Sequence, residues 1–254
     1  MSERKVSSTH GKMFKRYLDK VQQALTVKNE QATKSRNEVH RLRPRLNLLL
    51  YAALVTHSMI YDEFLPIFMY AKRHQTKTVS TAYTLALAGG LGMEKSDVGI
   101  YFLVCGVFAV IVQLTVFPVI SRSLGPLQSM KLCAIMLPLI YTTVPFTVLL
   151  EPSTKASTAL LMVIMLSKSF FTTIAFPCSM VLLSGSVSNN SLGTLNGLAS
   201  GSSGVARAVG AMVFGFLFTK GFQRECIIVP WWCLALLAIL GALPIFWLKD
   251  TIAV

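Results

Sequence analysis

The chain has 254 residues, of which 53% are hydrophobic and only 14% are charged, a composition too apolar for a soluble domain of this size. Its formal net charge of +13 does not indicate nucleic-acid binding, because no nucleic-acid motif and no aromatic-basic surface accompanies it. Length, composition and charge together predict an integral membrane protein.

The first 45 residues carry most of the positive charge. They hold 12 of the 24 Lys and Arg residues and four of the 11 acidic residues, so eight of the thirteen net positive charges lie here. Arg41, Arg43 and Arg45 directly precede the first apolar run, and the positive-inside rule predicts that the tail, residues 1–45, is cytoplasmic and faces anionic lipid. Apolar residues recur at helical spacing over residues 14–25. This segment is either an interfacial amphipathic helix or a disordered basic linker.

Six apolar runs follow the tail. Each is long enough, at about 1.5 Å of rise per residue, to cross a hydrocarbon core about 30 Å thick. The predicted spans are residues 46–70, 98–120, 127–150, 157–183, 192–219 and 227–248. We therefore predict an all-α membrane protein with a six-helix bundle over residues 46–248.

An even number of spans returns the C-terminal residues 249–254 to the cytoplasmic side. The short loops do not support this orientation, because the predicted outer loops hold seven Lys and Arg residues and the inner ones only three. The orientation therefore depends on the tail. In the last span, Trp231 and Trp232 lie near one end and Trp247 near the other, a spacing that predicts two interfacial aromatic belts.

Several side chains within the spans are charged or strongly polar, and polar groups in hydrocarbon need a partner or water, so six of them are singled out. They are His57, Asp62, Glu63, Gln113, Lys168 and Arg207. Lys168 lies near the middle of the fourth span, too deep to reach either interface, so we expect it to face protein or water. Substrate binding, proton coupling and a structural ion pair all remain open for Lys168.

Asp62 and Glu63 are adjacent, so on a helix they project about 100° apart and cannot both face one partner. We expect one of them to line a cavity and the other to form a structural pair or to reach the outer interface. His57 is either a proton-relay residue or a hydrogen-bonded packing residue. Arg207 and Arg122 are assigned structural or gating roles.

The fifth span is rich in small residues. Gly193, Gly197 and Gly201 are spaced four apart, and Gly210 follows on the same span. Such a stripe predicts close approach of another helix. Asn196 adds a hydrogen-bonding group near this stripe, and it is a candidate substrate-binding residue.

No motif of a nucleotide-binding protein or a hydrolase occurs in the chain, because GxxxxGK[ST], GxSxG and HExxH are all absent. The five cysteines show neither CxxC nor His/Cys ligand spacing and predict reduced thiols. We therefore expect no enzyme activity, no metal and no cofactor. A membrane-embedded enzyme would need a His-rich or Asp-rich cluster at one interface.

Four stretches together are similar to one known family. Residues 57–68 (HSMIYDEFLPIF) are similar to its seventh helix, and Gly89–Met93 (GGLGM) to the start of its eighth helix. Residues 118–125, which include Arg122, are similar to the turn between helices eight and nine. Residues 192–210 resemble the LGTxNG…ARAxG pattern of helix eleven. The chain thus resembles the C-terminal six-helix half of the major facilitator superfamily, in the fungal drug:proton antiporter-like and zinc-induced-facilitator-like branch.

Two local departures accompany this resemblance. Ala211 stands where the family usually has proline, and the acidic residue of the full signature loop is absent near Arg122. The family has twelve helices, whereas this chain holds the second six and a piece of the central loop. The antiporter motif of the family's N-terminal half therefore cannot be assigned here.

The resemblance implies two inverted three-helix repeats, with spans one and four lining a central cavity and Asp62, Glu63 and Lys168 near that cavity. It implies a proton-coupled secondary transporter half that moves a small organic solute or drug by alternating access. The expected partners are the lipid bilayer, the substrate and a separate N-terminal six-helix half, in a plasma or vacuolar membrane. The alternative is a truncated, non-transporting membrane protein or interaction subunit.

Overall fold

The structure of the protein is a computed structural model, and it describes residues 43–72, 89–150, 156–187, 191–224 and 226–248. The chain divides into two compact units, Met1–Pro44 and Arg45–Val254. Nearly all the described residues belong to the second unit. The predicted amphipathic segment, residues 14–25, and the C-terminal residues 249–254 lie outside the described residues.

The described residues contain six helices that are long and apolar enough to cross a membrane. They are α1 (Arg43–Tyr70), α2 (Lys95–Ser123), α3 (Gly125–Leu149), α4 (Ala156–Ser184), α5 (Leu192–Gln223) and α6 (Ile228–Trp247). The predicted all-α fold with six spans is confirmed. Each helix begins and ends within four residues of the predicted bounds.

Proline shapes the helices without ending most of them. Pro138 and Pro177 lie inside α3 and α4. Pro118 has no N–H to donate to the carbonyl group of Leu114, and α2 widens into a π-helical turn, Val112–Val116, which ends two residues before this proline. At Val144–Leu149, α3 tightens into a 3-10 helix. The hydrogen-bond pattern of the adjacent turns thus changes to accommodate the N–H group that proline lacks, and the helices continue across the span.

The core lies where α1, α3, α4 and α6 meet. Trp231 of α6 is fully buried there. It makes edge contacts with Tyr61 at 5.6 Å, Phe68 at 5.6 Å and Phe218 at 5.2 Å between ring centroids. The predicted place of Trp231 in an interfacial belt is therefore wrong, because aromatic packing with α1 and α5 has recruited it into the core. Trp232, the next residue, is half exposed.

The helices α2 and α5 lie at the edge of this core. No side chain of Lys95–Ile111 in α2 is buried, and α2 contacts α4. α5 contacts α6. Both helices therefore leave a large apolar face uncovered by the described part of the chain.

The residues that precede α2 cap the end of α1. The backbone N–H groups of Leu91, Gly92 and Met93 donate to carbonyl groups in the last turn of α1 and just after it, over 2.9–3.1 Å. Gly89 and Gly92 have φ angles of 81° and 67°, which favour glycine. The glycine-rich stretch predicted to start helix eight of the family thus also satisfies the otherwise free carbonyl groups of the preceding helix.

The glycine stripe of α5 does not make the predicted contact within the described chain. A Cβ atom built on Gly193, Gly197 or Gly201 would have no neighbouring atom within 4 Å. A Cβ on Gly210 would lie 2.9 Å from Ile60 Cδ1 and 3.0 Å from Thr56 Cγ2. The close approach of α5 to α1 is therefore at Gly210, and the prediction for the other three glycines is wrong as an internal contact. The rotation of α5, which periodicity alone does not give, decides which glycines face α1.

Replacing Gly210 with Leu is expected to destabilise the chain by about 1–3 kcal/mol, because the added side chain must displace Ile60 or Thr56. Gly197→Leu is the matched control, and it should leave the stability of the isolated chain unchanged or raise it by up to about 1 kcal/mol. Thermal unfolding of both variants in detergent is the measurement. Equal destabilisation by the two substitutions would contradict this placement of α5.

Candidate functional site

A cavity of about 280 Å³ opens between α1, α2 and α4, near the lower end of the volumes of small-molecule pockets, about 300 Å³. Its lining combines one ion pair with apolar, aromatic and hydroxyl side chains. The lining residues are Tyr61, Asp62, Leu65, Phe102, Cys105, Gly106, Ala109, Met165, Lys168, Ser169, Thr172 and Thr173. The predicted cavity-lining role of the first and fourth spans agrees with this geometry.

Asp62 and Lys168 form an ion pair in the wall of the cavity. The Lys168 Nζ atom donates to both carboxylate oxygens of Asp62 at 2.6 Å. The Lys168 side chain is only 7% exposed, whereas that of Asp62 is 46% exposed. The pair is therefore asymmetric: the ammonium group lies inside the protein, and the carboxylate group presents one side to the cavity.

The ring of Tyr61 provides a second contact for the lysine. The Lys168 Nζ atom lies 4.9 Å from the centroid of this ring, within the range of a cation–π interaction. The Tyr61 ring stacks on Tyr141 of α3 at 5.1 Å. The Tyr141 hydroxyl is 2.9 Å from His57 Nδ1, and this hydrogen bond is buried. A continuous set of polar and aromatic contacts thus connects the ion pair with the core.

Two polar contacts attach α2 to α4 beside the site. The Ser169 hydroxyl donates to the Cys105 carbonyl group at 3.4 Å, and the Tyr101 hydroxyl donates to the Thr158 carbonyl group at 3.4 Å. Ser169 follows Lys168 directly, so the contact with α2 and the ion pair with α1 come from the same turn of α4. This turn therefore joins all three helices that surround the cavity.

Two hydroxyl groups of the cavity-lining residues are buried and have no hydrogen-bond partner among the described residues. They are Tyr61 Oη and Thr172 Oγ1. An unsatisfied buried polar group costs about 1–3 kcal/mol. Such groups beside an ion pair are more typical of a binding site than of a purely structural core.

The structure brings together only some of the predicted site residues. Asp62 and Lys168 meet in the cavity, while Glu63 and Asn196 are exposed outside its lining. The hydrogen bond of His57 favours the packing interpretation. The roles assigned to these residues stay predictions.

Two predicted structural or gating residues also lie on exposed surface. Arg207 is exposed on α5 and has no ion-pair partner among the described residues, and Arg122 is exposed in the last turn of α2. The five cysteines are free thiols, and Cys133 and Cys178 are buried. Within the described ranges, no group of His, Cys, Asp and Glu side chains is arranged to hold a metal ion.

Sequence reasoning missed most of the cavity wall. Thr172 lies four residues after Lys168, on the same face of α4, so helical spacing could have pointed to it. Cys105, Gly106 and Ala109 form a small-residue face on α2, but nothing in the sequence shows that this face turns toward α4. The stacked pair of Tyr61 and Tyr141 joins residues 80 positions apart, and no local pattern indicates it.

Comparisons with known proteins agree with the fold. The family model described as Major Facilitator Superfamily matches residues 20–253. The chain is 32% identical over 206 residues to the major facilitator superfamily multidrug transporter mfsB of Aspergillus fumigatus, covering 81% of this chain and 33% of that protein. It is 28% identical over 171 residues to the major facilitator-type transporter psiT2 of Psilocybe cyanescens, covering 62% of this chain and 32% of that protein. The chain thus spans about a third of the length of these curated relatives. No solved structure matches it.

Proposed function

Since the chain belongs to the major facilitator superfamily, we propose that it is the C-terminal six-helix half of a proton-coupled secondary transporter for a small organic solute or drug. The ion pair of Asp62 and Lys168 in a membrane-depth cavity is the observation that supports this function most directly. Charges at this depth are costly unless they are paired or hydrated, and they commonly mark substrate and ion pathways.

The ion pair offers a simple coupling device. A proton on Asp62, or a polar group of the substrate beside it, weakens the attraction between Asp62 and Lys168. α1 and α4 are joined at this depth through the same two side chains. Changing the occupancy of Asp62 therefore changes the contact between α1 and α4, and this change would link substrate or proton binding to a rearrangement of the helices around the cavity.

A second six-helix bundle is the proposed partner. Glu63, Gln113 and Arg207 are exposed on α1, α2 and α5 within the spans, and contact with lipid tails would cost roughly 2.5–3.5 kcal/mol for a central charge. The uncovered glycine stripe of α5, at Gly193 and Gly197, offers close approach to a helix of another bundle. These surfaces fit an N-terminal half better than they fit lipid.

The chain alone is expected to show no transport, because alternating access needs two bundles around one site. The purified chain in proteoliposomes should give no saturable uptake driven by a proton gradient. The chain joined to six further spans encoded upstream in the same reading frame should transport, and Lys168→Ala should abolish that activity. Transport by the chain alone would contradict the half-transporter proposal.

A non-transporting membrane protein or interaction subunit is the alternative. Under this alternative, no such upstream spans exist, or joining them gives no transport. Reading the genomic sequence upstream of Met1 is the first step that separates the two functions.

A further inference from the structure

We propose that the cavity between α1, α2 and α4 binds an organic cation, a protonated amine with an apolar or aromatic body, whose ammonium group contacts the exposed side of Asp62. This inference rests on the proposed transport function and names the chemical class of its substrate. The orientation of the ion pair and the chemistry of the surrounding side chains both support it.

The orientation of the ion pair makes the cavity acidic on its open side. Asp62 and Lys168 are the charged residues in its lining. Lys168 is almost fully buried, whereas nearly half of the Asp62 side chain is exposed. A solute that enters the cavity therefore meets the carboxylate group before it meets the ammonium group. Glu63, the next residue, is exposed on the same helix and adds negative charge at this depth.

The Lys168 ammonium group can stay beside Asp62 when the ammonium group of a ligand binds the same carboxylate. Its Nζ atom already lies over the Tyr61 ring at 4.9 Å, and cation–π attraction strengthens as water is removed. The ligand can thus share the Asp62 carboxylate while the lysine keeps a partner on its other side. A carboxylate has about four lone-pair sites on its two oxygen atoms, which suffices for both cations.

The rest of the lining suits an apolar body with few polar groups. Leu65, Phe102 and Met165 supply apolar and aromatic surface. The Tyr61 and Thr172 hydroxyl groups, which lack partners among the described residues, can accept hydrogen bonds from ligand N–H groups if their side chains rotate.

An organic anion fits this cavity less well. To reach the Lys168 ammonium group, it would have to displace Asp62 from two 2.6 Å contacts and enter a region where the lysine is only 7% exposed. The displaced carboxylate and the incoming anion would then repel each other across a small cavity.

The half-buried thiol of Cys105 lines the cavity and reports its charge. In a chain whose other four cysteines are replaced by Ala, Cys105 is labelled with the cationic trimethylammonioethyl methanethiosulfonate or the anionic sulfonatoethyl methanethiosulfonate. Each rate is divided by the rate of the same reagent with free mercaptoethanol. We expect the cationic reagent to react about tenfold faster, at the lower end of electrostatic focusing by charged clefts.

Two variants test whether Asp62 causes this preference. Lys168→Met should increase it, because the carboxylate loses its internal partner. The double variant Asp62→Asn, Lys168→Met should remove most of it without leaving an unpaired buried lysine, since only the more distant Glu63 then contributes negative charge. A chain that keeps only Cys226, which lies before α6 and outside the cavity lining, is the control. Its reagent preference should not respond to either change.

Protection by ligands completes the test. Phenylethylammonium should slow the labelling of Cys105, and phenylpropionate, a similar body with the opposite charge, should not. The proposal would be overturned if the two reagents reacted at equal rates or if the anionic reagent reacted faster. It would also be overturned if phenylpropionate protected Cys105 or if neither reagent reached this thiol. Because labelling measures the cavity and not transport, it gives its answer whether or not the chain moves a solute.

Discussion

Replacing Asp62 with Asn is expected to destabilise the protein by about 3–5 kcal/mol, because the substitution leaves the buried Lys168 ammonium group without its counter-charge. The converse change, Lys168→Met, should cost less, about 1 kcal/mol, since the remaining carboxylate is nearly half exposed and keeps its hydration. The two partners of one ion pair thus have unequal effects, and the difference follows from their unequal burial.

Equilibrium unfolding in mixed micelles measures both effects. The double variant Asp62→Asn, Lys168→Met should recover most of the loss seen in Asp62→Asn, because it removes the buried charge together with its partner. Glu63→Gln is the matched control: this neighbouring carboxylate is exposed and has no ion-pair partner among the described residues. If Asp62→Asn and Glu63→Gln were equally mild, the ion pair would not contribute to the stability of this fold.

Replacing Gly90 with Ala is expected to cost at least about 3 kcal/mol, the upper end of the range for overpacked sites. A Cβ atom on Gly90 would lie 2.2 Å from the Phe68 carbonyl oxygen and 2.6 Å from that of Ala71. Both are backbone atoms at the end of α1, so no side-chain rotation relieves the clash. The substitution must therefore disrupt the hydrogen bonds that Leu91 and Gly92 donate to the same two carbonyl groups.

The control for Gly90→Ala is the same substitution at Gly99, where a Cβ atom meets nothing within 4 Å. Gly99 lies inside α2, so alanine there should be neutral or stabilising by up to about 1 kcal/mol. The measurement is the fraction of folded protein and its thermal midpoint in detergent. A Gly90→Ala variant as stable as Gly99→Ala would show that the segment before α2 does not pack on α1.

The outer face of α5 has a different role in the structure from the one that its glycine spacing predicts. The spacing predicts that these glycines hold the bundle together, but the chain's own described helices contact only Gly210 among the four glycines considered. The stripe at Gly193, Gly197 and Gly201 is thus available to another molecule. Under the proposed function, substitutions there should leave the isolated chain stable and weaken its association with the second bundle.

The sequence by itself determined the class of the protein and the extent of its helices. Six runs of this length and hydrophobicity have few alternatives to spanning a bilayer, because a backbone in hydrocarbon must satisfy its own hydrogen bonds and a helix does so locally. Because a charged side chain in hydrocarbon is energetically unfavourable, the sequence also predicted that Asp62 and Lys168 need a partner or water. These are local properties, and local patterns predict them well.

Only the tertiary structure decided which helix faces meet. It paired Lys168 with Asp62, 106 positions away in the chain, rather than with the adjacent Glu63, and it turned Gly210 rather than Gly197 toward α1. It also drew Trp231 into the core while the next residue stayed half exposed. The physical reason is common to all three. In a helix that is apolar on every side, hydrophobic periodicity does not specify rotation, so side-chain packing and the pairing of buried charges set it.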